Sequence, residues 1–194
     1  MCVRPGNGAR AGAAQPGPSR RVASIVADPM ILTLRLDADA MARLERERRA
    51  FFPAARNVIP AHVTLFQRLP GERVDHVAAG CAAVARRWAP VEVRATGVMP
   101  FSQGGAIALE VPGFARLRAA LAGEWDVALS DQDRAGRKPH ATVMNRTRKA
   151  AAGVAMEMLR ARFAPFDATA EGVDLWHYRG GPWEPAGSWW FAGG

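Results

Sequence analysis

Apolar residues recur along the chain in two rhythms, one of period two and one of period three to four, and their alternation lays out the elements. Residues 31–36 form a short, almost continuous apolar run and read as a strand, with Asp37 placed to cap the helix that follows. Over residues 38–52, Met41, Leu44, Arg48 and Phe51 fall at helical spacing, and Pro53 ends the pattern. Residues 58–69 read as a strand, and residues 74–88 as a helix with Val77, Cys81, Val84 and Trp88 on one face. Two strands follow, over residues 91–99 and 106–111, joined by a turn at Gly104-Gly105. A third helix covers residues 114–125, with Leu117, Leu121 and Trp125 in one stripe. The polar stretch 130–138 reads as a loop and residues 139–146 as a strand. Thr147 is placed to cap a fourth helix that runs to about Phe163. Residues 166–191 read as strands around a Gly180-Gly181-Pro182 turn.

Strands and helices thus alternate through 194 residues, a length that suits one domain or two small lobes sharing a core. The order is that of an α+β protein. Its two halves look like a weak internal duplication, each holding one strand of the same unusual type. Neither a GxGxxG nor a GxxxxGK[ST] loop occurs, so nucleotide-binding folds built on such loops are set aside.

The first 28 residues break the pattern. Gly, Pro, Ala and Arg dominate, no apolar h-region of a secretory signal is present, and the segment is expected to be a disordered tail. Met30 could be the natural start. Residues 29–194 are the expected domain. The net charge is +8; four arginines against Asp28 put +3 in the tail and leave +5 for the rest, which suits a polyanionic partner. Nearly all of that charge is arginine, only Lys138 and Lys149 being lysine, so coding bias accounts for it equally well. No apolar run is long enough to cross a membrane as a helix. Cys2 and Cys81 form neither a disulfide framework nor a metal-ligand pattern; Cys81 reads as a small core residue, and the cytoplasm is the expected compartment.

The informative strands are the two that resemble each other. One carries His62-Val63-Thr64-Leu65-Phe66-Gln67-Arg68, the other His140-Ala141-Thr142-Val143-Met144-Asn145-Arg146, 78 residues later. Strand side chains alternate between faces, so His62, Thr64 and Phe66 share one face and Val63 and Leu65 the other. His140 and Thr142 divide from Ala141 and Val143 in the same way. The aliphatic faces suit a core. Packed as a pair, the other faces bring two imidazoles and two hydroxyls to one groove. A neutral imidazole can take a proton from an attacking oxygen, an imidazolium can give one to a leaving oxygen, and hydroxyls can donate to non-bridging phosphoryl oxygens. Such a set needs neither metal nor cofactor.

The HVTL and KPHATV pair resembles the two-histidine phosphoesterase superfamily, which includes bacterial 2′-5′ RNA ligase-like proteins and RNA 2′,3′-cyclic phosphodiesterases. The likeness extends from Met30 to Phe191, and the Gln132-Asp133 loop, Asn145 and the LWHYRGGPWE run are similar to one bacterial branch. The resemblance implies a bilobal, duplicated α+β fold of antiparallel sheets with helices packed outside and a central cleft. It implies His62, Thr64, His140 and Thr142 as catalytic residues. It also implies that His140 activates the incoming water while His62 protonates the leaving oxygen. The expected activity is metal-independent hydrolysis of an RNA 2′,3′-cyclic phosphate end or a related phosphodiester. The alternatives are a 2′-5′ RNA ligase, a 2′-5′ oligonucleotide phosphodiesterase, a noncatalytic RNA-binding module, or a metal-binding protein using the two histidines. A monomer is expected.

Further candidates for substrate contact are Phe66, Phe101, Lys138, Arg68 and Arg146. Phe66 is a stacking candidate because it shares the face of His62. Lys138 immediately precedes the second motif, and Arg68 and Arg146 sit six residues beyond each histidine. Gln132 and Asp133 read as a turn, His76 as a solvated surface residue, and His177 as outside the cleft. Trp176, Tyr178, Trp183, Trp189, Trp190 and Phe191 read as a hydrophobic seal over a sheet more readily than as a stacking surface for bases.

Overall fold

The computed structural model describes residue 1 and residues 28–101, 104–145 and 149–193. The expected tail over residues 2–27, Arg146 and the Thr147 cap therefore lie outside the described residues. Seven strands are present among the described residues, β1 (Met30–Leu36), β2 (Val63–Leu69), β3 (Val91–Phe101), β4 (Gly104–Glu110), β5 (His140–Met144), β6 (Phe166–His177) and β7 (Glu184–Trp190). They alternate with helices α1 (Ala38–Phe51), α2 (Val74–Arg87), α3 (Phe114–Glu124), the short α4 (Asp131–Arg134) and α5 (Lys149–Arg162).

Every strand pairing is antiparallel, in the order β1-β2-β5-β4-β3-β6-β7, and β1 also pairs with β6. The long strand β6 makes the arrangement bilobal. Its first half, Phe166–Ala170, pairs with β3 and belongs to the lobe of β3, β4 and β5. Its second half lies between β1 and β7 and belongs to the lobe of β1, β2 and β7. Across from β6 the lobes meet again, where Val63 of β2 pairs with Ala141 of β5. The strands thus form a circuit, and the two His-x-Thr motifs lie at its second junction.

The core follows the apolar positions of the pattern. Leu32, Leu34, Val63, Leu65, Ala141, Val143, Val173 and Leu175 from the strands are buried together with Leu44, Val77, Cys81, Val84, Leu117, Leu121 and Leu159 from the helices. Burial pushes the Cys81 thiol up to about 12, the state of an inert core residue. Asp37 caps α1 as expected. One carboxylate oxygen accepts from Ala40 N–H at 2.8 Å, and the other ties Thr169 N–H of β6.

Three expectations are corrected. The strand expected over residues 58–69 begins only at Val63, because a 3₁₀ turn at Ala54–Arg56 and then Pro60, which has no N–H to give a ladder, precede it. Gly104 and Gly105 do not make a turn; they open β4 opposite Phe101 and Pro100. A side chain at Gly104 would run into the main-chain carbonyl of Met144 on β5, so glycine serves close strand approach there. The stretch 130–138 holds helix α4, started by Ser130, whose hydroxyl accepts from Asp133 N–H. The C-terminal turn does contain Gly180 at φ 77°, a left-handed conformation that glycine adopts without strain.

Candidate functional site

The junction of the lobes fixes the geometry of the site. Continued one residue either way, the antiparallel register at Val63 and Ala141 sets His62 across from Thr142 and His140 across from Thr64. The two histidines then stand on the diagonal, roughly 7–8 Å apart at the backbone. Val63, Leu65, Ala141 and Val143 are buried, while His62, Thr64, His140 and Thr142 are half-buried, the division that alternation predicts.

Both rings are held in one way. His62 Nδ1 lies 2.9 Å from the carbonyl oxygen of Pro60, and His140 Nδ1 lies 2.8 Å from that of Lys138. A carbonyl oxygen can only accept, so Nδ1 carries the proton in each ring. That leaves Nε2 of each as the atom free to take or give one. Pro60 and Lys138 thus contribute main-chain oxygens, two residues before each histidine. Lys138's side chain is exposed.

His62 has a covered environment. The ring of Trp183 lies against it, 4.5 Å between centres and tilted 49°, and Trp176 stands behind Trp183 at 6.1 Å. Trp176 is fixed by its indole N–H, which donates to Thr33 Oγ1 at 2.9 Å. Burial, with the charge of Arg48 and the nearness of His140 adding to it, pushes His62 down to about 4, although its bond to Pro60 pulls the other way. At neutral pH this imidazole is unprotonated.

Arg48 is a residue at the candidate site that the sequence reading placed on a helix face but did not single out. It lies on the core-facing stripe of α1 and is 2 % exposed. Its Nε donates to Asn57 Oδ1 at 2.8 Å and to the carbonyl of Ile59, and one terminal nitrogen donates to the carbonyl of Thr142 at 2.7 Å. The guanidinium rests on the ring of Phe52. One buried cation therefore binds the approach to the first motif and the backbone of the second. A charged residue in phase with Leu44 was its sequence signal. Trp183 gave none beyond membership of an aromatic cluster.

Phe66 is corrected from a stacking residue to a core residue. The pairing of β2 with β1 slips twice, from Met30↔Leu69 to Leu32↔Phe66 to Thr33↔Thr64. Along β2, the first slip turns Phe66 to the core face, and the second restores the original phase before Leu69. Phe66 is 1 % exposed, lies edge-on to Trp125 and is covered by the guanidinium of Arg118. Asp133 also does more than make a turn. Its buried carboxylate accepts from the N–H groups of Gln67 and Arg68, at 2.7 and 2.9 Å, past the point where β5 pairs with β2. Arg68's side chain is exposed there, and Phe101 is exposed at the end of β3. His76 accepts from Asp126 N–H, tying α2 to the segment after α3, so it is half-buried rather than freely solvated. His177 is half-buried between Met30 and Glu184. Trp176 and Trp183 cover the sheet and His62, and Trp189 packs on the core. Trp190 is exposed under Arg35, so the aromatic cluster is only in part a seal.

The model of the 2′-5′ RNA ligase superfamily matches residues 36–182. No curated protein matches the sequence. Among solved structures, TT0787 of Thermus thermophilus is similar with a TM-score of 0.60 and 19% identity, over 85% of this chain and 98% of that one. E. coli LigT complexed with NADP+ is similar at 0.54 and 15%, over 86% and 99%. LigT complexed with 3′-AMP is similar at 0.52 and 14%, over 85% and 98%.

Proposed function

The chain belongs to the 2′-5′ RNA ligase superfamily, and from that premise we propose that it is a metal-independent phosphodiesterase acting on RNA 2′,3′-cyclic phosphate ends or a related phosphodiester. One observation carries the reading. Two imidazoles stand diagonally across one strand pair, each with Nδ1–H bound to the carbonyl two residues earlier and Nε2 left for the substrate. A phosphodiester between them meets a base on one side of phosphorus and an acid on the other, as in-line displacement requires. The Thr64 and Thr142 hydroxyls, each across from a histidine, donate to the non-bridging oxygens as charge gathers there.

The low pKa of His62 favours one order of roles. An acid with a pKa of about 4 is almost wholly deprotonated at neutral pH, whereas a base with that pKa is ready. His62 therefore takes the proton of the attacking water through Nε2, and His140 delivers a proton to the departing ribose oxygen. This is the reverse of the order implied by the family resemblance. Water attacks phosphorus, the bond to one ribose oxygen breaks, and a phosphomonoester and a free hydroxyl result. With a ribose hydroxyl in place of the water, the same pair would open a cyclic phosphate, the freed ribose oxygen leaving with a proton, and so join two ends, which is the ligase alternative. LigT's complexes with NADP+ and 3′-AMP are in keeping with a nucleotide substrate.

The test is a panel of short RNAs with cyclic, linear and 2′-5′ linked ends, incubated with EDTA. Turnover of at least one, lost in His62→Ala and His140→Ala, is expected. Activity that EDTA abolishes and Mn²⁺ restores would overturn the metal-free mechanism. Tight RNA binding without turnover would leave the noncatalytic module as the better reading.

A further inference from the structure

A groove of about 440 Å³ opens beside His62, and nothing in the acid–base mechanism uses it. Its walls include Arg48 and Phe52 of α1, Arg56 and Val58 of the segment before β2, and Tyr178 and Trp183 of the hairpin between β6 and β7. Trp183 is a wall common to the groove and the His62 ring, so whatever is joined to a phosphoryl group at the histidines can enter directly. Two large apolar side chains on this concave surface are left to solvent, Val58 at 53% and Tyr178 at 44% exposure. Apolar surface kept open around a concavity marks a binding site. Arg56 is exposed and has no ion pair or hydrogen bond from its side chain among the described residues. The neighbouring Arg179, by contrast, is paired with Asp28 and Glu184.

We propose that this groove is a nucleoside subsite, in which the base next to the scissile phosphate stacks on Tyr178 beside Val58 and the following backbone phosphate meets Arg56. The inference rests on the reading of His62 and His140 as a phosphodiesterase pair, and it narrows the substrate to the end of a single-stranded oligonucleotide. An aromatic face with an unneutralised cation is the combination that holds single strands without base-specific hydrogen bonds. An acyl chain would use the apolar wall but has no need of Arg56. An isolated phosphate has no need of Tyr178.

Two measurements on the intact protein test this. The first is fluorescence anisotropy with a labelled pentaribonucleotide ending in a 3′-phosphate. Tyr178→Ala should weaken binding about tenfold and Tyr178→Phe should restore it. Arg56→Ala should lower the slope of log affinity against log salt by roughly 0.7. The second is the ratio of kcat/KM on an oligonucleotide diester to that on methyl p-nitrophenyl phosphate, which carries no base; Tyr178→Ala should lower it about tenfold. Both side chains are exposed, so the variants should fold. Unchanged affinity and an unchanged ratio overturn the subsite, as does wild-type protein that binds no RNA. Variant-sensitive RNA binding without turnover of any diester would instead keep the subsite and defeat the catalytic reading.

Discussion

The indole of Trp183 and the imidazole of His62 lie 4.5 Å apart, centre to centre, and this contact covers a histidine whose pKa is pushed far down. The other charged or titratable groups that bear on the ring are Arg48 from α1 and His140 from β5. Removing the indole lets in water but leaves that positive neighbour. With His62 as base, kcat/KM of the wild type should hold down to about pH 4 and fall below it. In Trp183→Ala the acid limb should move up toward 6.5 without reaching it, and Trp183→Phe should keep it low. Limbs measured this way belong to the coupled pair. An acid limb near pH 6.5 in the wild type would refute the role assigned to His62.

The same depression makes a prediction for stability. The unfolded chain protonates His62 below its ordinary value of 6.5, the folded chain only below about 4. Between those values the unfolded state binds more protons, so stability rises with pH; the penalty is absent near pH 7 and complete below about 4. Its size is at most roughly 3 kcal/mol, reduced by whatever water reaches the half-buried ring. Urea midpoints at pH 7 and pH 4.5 should separate less in His62→Gln than in the wild type.

Loss of either histidine should reduce turnover by about 10²–10⁴-fold, and the double variant by far less than the product of the two. The roles separate on a p-nitrophenyl diester, whose leaving group needs no protonation. His140→Ala should then lose little and His62→Ala should remain severely impaired. Equal losses on that substrate would leave the pair standing and cancel the assignment of base and acid.

Arg48→Ala should be destabilising by about 2–4 kcal/mol, because Asn57, Ile59 and Thr142 each lose a donor in a buried place. Arg48→Lys should recover only part, since an ammonium cannot span three separated acceptors from one fixed plane. Chemical denaturation measures the loss. At a temperature where the variant stays folded, its kcat should also fall, as the backbone of both motifs loses its common anchor.

Phe66→Ala should behave as a core truncation, costing about 3–5 kcal/mol, with kcat/KM of the folded fraction near that of the wild type. A stacking residue would show the opposite pattern, normal unfolding with a raised KM.

What the sequence made legible and what it hid divide along a physical line. Alternation around Val63 and Ala141 was sufficient to sort the His and Thr side chains from the core side chains, because a strand side chain's face depends only on its own position. It failed three residues beyond Val63, at Phe66, where the slips in pairing with β1 depend on a distant strand and leave no local trace. The four long helices were found nearly to the residue, Asp37 and Pro53 being local signals, while the single turn of α4 was read as a loop. Pro60, equally visible, was read through, and β2 was begun too early. Arg48 and Trp183 act across 94 and 121 residues of chain, on Thr142 and His62, and such distances are set by topology.

Topology also governs when this protein can assemble. β1 has β2 on one edge but finds its other partner only in β6, whose paired residues run from Ala170 to His177. On a ribosome, the first strand made must wait with one edge open until nearly all of the chain has emerged. Contacts of such long sequence separation close late and slowly. The junction that brings the histidine motifs together inherits that delay, so the site should become competent as one of the last events of folding, after the helices on either lobe have formed.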